Sequence, residues 1–336
     1  MKHELNREYP EPDEEATFGH MVEITRKLMD IAHHKTPDQP MRRGQHAKAT
    51  GCVIAEFRIA DDVPADLRHG VFAVPGRTYQ ALVRFSNSQD VVKKDAEGTA
   101  RGIAIELLDV AGERADAGDG DRTQDFLMVN HPVFPFPTPK AYMATMRLRA
   151  IPVVGEGLAL GQLALLERDE LKEVLAIRHE LVASPLEITY WSGSPFWLGS
   201  ATGGEGHAVK YSAVPRQAPT PLPEKLDGNY LTQALNRHLQ AGEAVFDFKV
   251  QTQKDADTMP IEDVSMEWDE EESIPVTVVT LRIPPQTVDL KSEAAAKCEA
   301  MSFNPWHALA EHRPMGGMNR LRKFVYKASL AKRTGH

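Results

Sequence analysis

The sequence predicts an α+β fold: an eight-stranded antiparallel β-barrel with inserted helices and a further helix at its C-terminal side. Three observations point there. Short runs rich in β-branched and aromatic residues fall into two groups of four, a number that suits a closed antiparallel barrel. Leu-, Ala- and Glu-rich segments separate the groups, and a basic helical stretch follows the last run. The 336 residues are 42% hydrophobic and 26% charged, as in ordinary globular proteins, and supply enough core to enclose a large planar group.

Residues 1–45 read as an arm carrying one short amphipathic helix, with Met21, Ile24, Leu28 and Ile31 at helical spacing. Residues 46–336 read as a single domain whose barrel occupies about 46–285. The first group of strands is 47–59, 78–86, 101–108 and 124–129, with a Pro75-Gly76 turn between the first two. Helices are expected at 139–148 and 158–182, ending near Ser184-Pro185. The second group is 186–191, 207–214, 244–251 and 275–283, with a helix around 228–240. In 244–251, Phe246, Phe248 and Val250 alternate with Asp247, Lys249 and Gln251, the pattern of a half-buried strand. The final helix is expected at about 319–333.

Composition removes several function classes. A net charge of −9 argues against nucleic acid as a partner. Cys52 and Cys298 show no paired spacing, so neither a disulfide framework nor a thiolate metal cluster is expected, and a reducing, cytoplasmic setting fits. The polar N-terminal stretch lacks a signal peptide's apolar run. The most apolar segment, Ile151 to Leu166, is broken by Gly155, Glu156, Gly157 and Gly161 and is too short to span a bilayer. Residues 255–272 carry nine acids and no base and read as a solvated loop. The Gly-rich stretch Gly199 to Gly206 lacks a P-loop lysine, no H-E-x-x-H or comparable metal spacing occurs, and His33-His34 reads as a polar surface pair.

Four clusters suggest chemistry. Arg43-Gly44-Gln45-His46-Ala47-Lys48 precedes the first strand; a lone loop histidine is usually surface decoration. In Arg84-Phe85-Ser86-Asn87, strand alternation puts Arg84 and Ser86 on one face and Phe85 on the other. An arginine on a packed face requires an anionic partner, most simply an ordinary ion pair. Asn130-His131-Pro132-Val133-Phe134-Pro135-Phe136 is a loop with two phenylalanines that either packs on the barrel or lines a pocket. In the last helix, Arg322 and Tyr326 lie four apart, so they meet on one face. A guanidinium against a phenol favours the phenolate, which is a hard anionic ligand for ferric iron. Taken alone, the pair is also compatible with a surface Arg–Tyr stack.

In this order the clusters resemble the haem-binding core of the catalases. The likeness runs from about Arg43 to Asn130 and more loosely to the end of the chain. The segment R-x-x-H-A-K resembles the catalase distal segment and implies His46 as distal histidine; RFSN implies Ser86 and Arg84; VNHPVF implies Asn130, with Phe134 against the haem. ARGIAIELLD looks like the intervening barrel strand, and R-x-x-x-Y implies Tyr326 as axial ligand of the haem iron, supported by Arg322. Arg43 and Arg84 are implied as propionate partners, with Arg42 an alternative to Arg43. The implied cofactor is haem b, iron protoporphyrin IX. The chain is shorter than typical catalases and is similar to the small catalase-related haem proteins and to the allene oxide synthases of the same fold. Gln45 stands where catalases carry valine and those synthases threonine, and Ser88 replaces an apolar channel residue. Both changes add polarity near the expected peroxide site.

The resemblance implies a haem peroxidase that cleaves the O–O bond of hydrogen peroxide or an organic hydroperoxide and oxidises a small organic donor. In that reading His46 serves as base and then acid, Ser86 fixes its tautomer, and Asn130 orients the peroxide. The alternatives are a fatty-acid hydroperoxide isomerase or dehydratase, and a non-enzymatic haem carrier or sensor. A third is a haem-free scaffold docking through its basic last helix. A monomer or homodimer is expected, with peripheral membrane contact possible but no transmembrane segment.

Overall fold

Runs rich in β-branched and aromatic residues give nine strands among the described residues. β1 is Lys48–Ile59, β2 Thr78–Asn87, β3 Arg101–Leu107, β4 Gln124–Val129, β5 Tyr190–Trp191, β6 Phe196–Gly199, β7 Gly206–Pro215, β8 Ala244–Thr252 and β9 Val276–Ile283. This computed structural model describes residues 3–118, 120, 122–166, 171–175 and 181–335. Every pairing is antiparallel. The order β5-β4-β3-β2-β1-β9-β8-β7 closes on itself through β5 and β7, giving an eight-stranded barrel. β6 takes the same edge of β7 as β5, at residues 206–209 where β5 uses 212–213.

The expected strand at 186–191 is therefore reduced to Tyr190–Trp191 and resumes, unforeseen, at Phe196–Gly199. Local turn chemistry prevailed over the strand pattern. Ser184 Oγ accepts the Leu186 N–H, Gly193 has φ 66°, and Pro195 cannot donate to a ladder. One face of each strand fills the barrel: Val53, Ala55, Phe57, Val83, Phe85, Ile103, Ile105, Phe126, Tyr211, Phe246 and Phe248 are all buried in one cluster. The other face of β2–β4 is covered by helices.

Besides a helical stretch at 171–175, the helices are α1 Glu14–His34, α2 Pro139–Arg149, α3 Gly155–Leu166, α4 Tyr230–Ala241, α5 Glu293–Ala300 and α6 Gly317–Thr334. The expected helix at 158–182 begins at Gly155; its stretches 167–170 and 176–180 lie outside the described residues. α5 was not expected. α1, α2 and α6 join around Phe18, Met21, Leu28, Met146, Met318 and Leu321, a second core. Among the described residues no helix is long and apolar enough to cross a membrane.

Two expectations are overturned. Cys52 and Cys298, separated by 246 positions, form a disulfide between β1 and α5. Sequence spacing carries no sign of a bond that only the fold brings together. The acidic stretch 255–272 is not simply a solvated loop. It buries Met259, Ile261, Val264 and Trp268, and its Glu262 pairs with Arg320.

Candidate functional site

A cavity of about 880 Å³ lies between the outer face of β2–β4 and the helices. That volume is at the upper end of ligand and cofactor sites, roughly 300–1,000 Å³. Its barrel wall is organised around His46. The backbone there turns sharply, with φ 56°, a conformation uncommon for a non-glycine residue. It is held from both sides: His46 N–H donates to Ser88 O, and Arg84 Nη2 donates to His46 O at 2.9 Å. The turn delivers the imbedded imidazole against β2, where Nδ1 lies 2.9 Å from Ser86 Oγ. Gly102 on β3 makes the space, since a Cβ there would meet His46 Cε1 at 2.5 Å. Burial, then the charges of Arg84, Arg322 and Arg43, push the imidazole down to about 3, so it is neutral at ordinary pH.

Gln45 and Ser88 line the same cavity, and Ser88 Oγ is 2.6 Å from Thr99 Oγ1. Asn130 follows β4 and is buried; its Oδ1 accepts the Arg101 N–H at 2.5 Å, which turns the NH₂ end outward from that contact. Asn130 does not itself line the cavity, although Val129 and His131 beside it do. Phe134 lines it and packs edge-on to Tyr142, with centroids 5.3 Å apart.

The opposite wall is α6. Arg322 Nη2 donates to Tyr326 Oη at 3.2 Å, and the guanidinium lies over the phenol ring, 5.3 Å from its centroid. Arg322 is itself positioned. Its Nη1 donates to Asn319 Oδ1 (3.0 Å) and Ser194 Oγ (3.4 Å), while Ser194 donates to Asn319 and Asn319 Nδ2 donates to Pro195 O. The break between β5 and β6 thus meets the start of α6 and fixes the Arg322–Tyr326 pair.

One end of the cavity is cationic. Arg84, expected on the outer face of β2 opposite Phe85, is there and buried, with Nε donating to Glu299 Oε1 at 2.7 Å. Arg43 contacts Glu299 Oε2 at 3.3 Å, and Arg42 reaches the same oxygen at 3.7 Å from a more exposed position. Arg333 also lines the cavity. Burial, followed by the charge of Arg84, lowers Arg43 to about 9 despite Glu299. Burial alone would raise the Glu299 carboxyl, but Arg84, Arg43 and Arg42 hold it below its ordinary range.

The fold therefore brings His46, Ser86, Arg43, Arg84, Phe134, Arg322 and Tyr326 to one cavity, with Asn130 just behind its wall. Sequence reasoning missed Ser194, Asn319, Glu299 and Arg333. Only Arg333 carried a signal, lying seven residues from Tyr326 and so in phase with it on α6. Elsewhere, Glu106, Asp125 and His307 bring possible metal-ligand atoms within 4.8 Å of one another. There Asp125 also accepts the Asn304 N–H, pinning the segment before α6 to β4.

No family model matches the chain. A protein described as a catalase-related peroxidase, from Mycolicibacterium paratuberculosis, is 27% identical over 305 residues, 88% of this chain and 90% of that protein. A fungal catalase superposes with a TM-score of 0.72 at 18% identity, covering 92% of this chain and 63% of its own. A bacterial catalase gives 0.69 at 16%, covering 91% and 60%, and catalase A from Saccharomyces cerevisiae 0.65 at 18%, covering 91% and 64%. The chain thus spans less than two thirds of the length of these catalases. Its fold is the catalase fold. To the catalases proper the likeness is one of fold; to the catalase-related peroxidase it extends along the sequence over nearly the whole length of both chains.

Proposed function

We propose that the chain is a haem-dependent peroxidase that cleaves the O–O bond of hydrogen peroxide or an organic hydroperoxide and oxidises a small organic donor. The observation that carries this reading is a single cavity with a neutral, serine-held histidine on one wall and an arginine-held tyrosine on another. The residues fit haem b on three counts. The cavity is large enough, Tyr326 under Arg322 offers a phenolate oxygen to ferric iron, and three arginines at one end outnumber their single carboxylate partner.

Bound there, the haem supplies the ferric centre at which a peroxide is activated. Tyr326 would hold the iron, and Arg322 favours its phenolate. Arg43 and Arg84 would hold the propionates by charge-assisted hydrogen bonds. With Nδ1–H donating to Ser86 Oγ, His46 keeps Nε2 unprotonated, able to take the peroxide proton and return it to the leaving oxygen. Asn130, expected to orient the peroxide, is held through Oδ1 behind the cavity wall and would support that wall where Val129 and His131 line it.

The cavity also reaches Ile151 and Val153 in the connection between α2 and α3, and Leu160 and Leu163 on α3. This apolar extension favours bulky hydroperoxides and supports a second reading, in which a fatty-acid hydroperoxide is isomerised and no donor is needed. The test is an absorption spectrum of the haem-supplemented protein beside Tyr326→Phe and His46→Ala, followed by hydrogen peroxide and a fatty-acid hydroperoxide with product analysis. A high-spin ferric spectrum altered by Tyr326→Phe is expected. His46→Ala should keep its haem and lose roughly 10²–10⁴-fold in turnover. Oxidised donor identifies a peroxidase, isomerised lipid the second reading, and failure to bind haem refutes both.

A further inference from the structure

The cationic end of the cavity is assembled by a helix too short to announce itself in the sequence. α5 has eight residues, starts at a Ser292 cap that accepts the Ala295 N–H, and ends at Ala300. Its final turn lies on the arginines. Arg43 donates to the carbonyls of Cys298, Glu299 and Met301 at 3.4, 2.9 and 2.6 Å. Arg333 donates to those of Glu299, Ala300 and Met301. The carboxylate of Glu299 takes Arg84 and Arg43 as well. A helix C-terminus presents its unsatisfied carbonyls and the negative end of its dipole, so the turn suits guanidiniums.

These arginines come from three separate places: the segment before β1, strand β2 and helix α6. The last turn of α5 is where they converge. With Arg42, which also reaches Glu299, four guanidiniums gather against one carboxylate, and the excess of positive charge suits a group carrying two carboxylates. In turn α5 is fastened to β1 by the disulfide from Cys298, the residue next to Glu299, to Cys52. Cys298 is buried, whereas Cys52 is half-buried and offers the side from which a reductant approaches.

We propose that Glu299 is a positioning residue for the haem propionates and that the Cys52–Cys298 disulfide is its latch, so that the thiol state of the protein sets how tightly haem is retained. The inference rests on the haem reading above. Oxidised, the latch keeps the last turn of α5 on Arg43, Arg84 and Arg333 and these arginines in one arrangement. Reduction is a two-electron, two-proton exchange: a dithiol gives up its electrons and protons, leaves as its own disulfide, and releases Cys52 and Cys298 as thiols. α5 then swings on its Ser292 side, the arginines lose their common support, and the propionates lose preorganised partners.

The test follows haem transfer from the loaded full chain to excess apomyoglobin by the Soret band. It compares oxidised wild type, wild type reduced with dithiothreitol and freed of it under argon, Cys298→Ser, Glu299→Gln and Glu299→Asp. Circular dichroism checks that each is folded. Reduction, Cys298→Ser and Glu299→Gln should each speed haem loss about ten-fold, the scale of one hydrogen bond to a charged group. Glu299→Asp should restore most of the retention, and reduction should add less than about two-fold once Glu299 is Gln, because the disulfide acts through that carboxylate. A wild-type rate unchanged by reduction overturns the proposal. So does an equal acceleration in wild type and Glu299→Gln, which would make the disulfide a general staple. Absence of a Soret band in oxidised wild type would instead remove the haem reading beneath it.

Discussion

His46 reaches the cavity through a left-handed backbone that Arg84 and Ser88 hold in place, over a glycine that leaves room for its ring. Gly102→Ala would press a methyl group into His46 Cε1 and approach Ser86 Oγ to 3.0 Å, displacing the imidazole from the serine. On the proposed function His46 is the acid–base group, and displacement of such a group by about 1 Å costs on the order of 10²-fold, so peroxide turnover should then fall by that factor with haem content retained. Steady-state kinetics beside the Soret absorbance check this; full turnover in the variant would show that the ring is not confined as described. At this scale much was legible before the structure. Strand alternation placed Arg84 and Ser86 together, and helical spacing joined Arg322 to Tyr326. Glu299 was invisible, because its meaning comes from Arg43 and Arg84, more than 200 positions away, and its helix was unforeseen.

Helix α6 owes its placement to anions collected at its N-terminal turn. Glu8 accepts the Gly316 N–H, Glu262 accepts the Gly317 N–H, and both carboxylates together with Glu14 surround Arg320. Carboxylates are favourable at a helix N-terminus, and Arg320 ties the three into one clasp. Arg320→Ala would leave them facing one another and should lower stability by about 2 kcal/mol, read as a shift of urea midpoint at unchanged slope. Most barrel strands were legible from their β-branched and aromatic runs, β4 to the residue. The strand at 186–191 failed where Ser184, Gly193 and Pro195 impose turns, and the charge run at 255–272 concealed the apolar residues spaced through it. The disulfide had no local signature at all.

Across the molecule, a pH dependence is written into the barrel interior. His312 is wholly buried and ringed by Phe72, Phe126 and Tyr211. Its Nε2 accepts the Val71 N–H at 3.0 Å, so Nδ1 carries the proton toward Tyr211 Oη. Burial, then the charge of His69, depresses it to about 3 from 6.5. Between those values the unfolded chain binds the extra proton, so this contribution is complete above pH 6.5 and declines as pH falls. Unfolding free energy should drop by about 2 kcal/mol from pH 7.5 to pH 5 on account of this residue. Denaturant titrations at both pH values check it: the same drop in His312→Gln would assign the effect elsewhere.

The edge of β1 away from β2 is taken by β9, with Glu56 opposite Arg282. During synthesis the first four strands therefore emerge long before the strand that completes the ring. Until residues 276–283 arrive, β1 presents an unpaired edge, an invitation to pairing between chains. Contacts of such sequence separation are slow to form, so this protein should fold late and depend on dilution or chaperones to escape aggregation while its ring stands open.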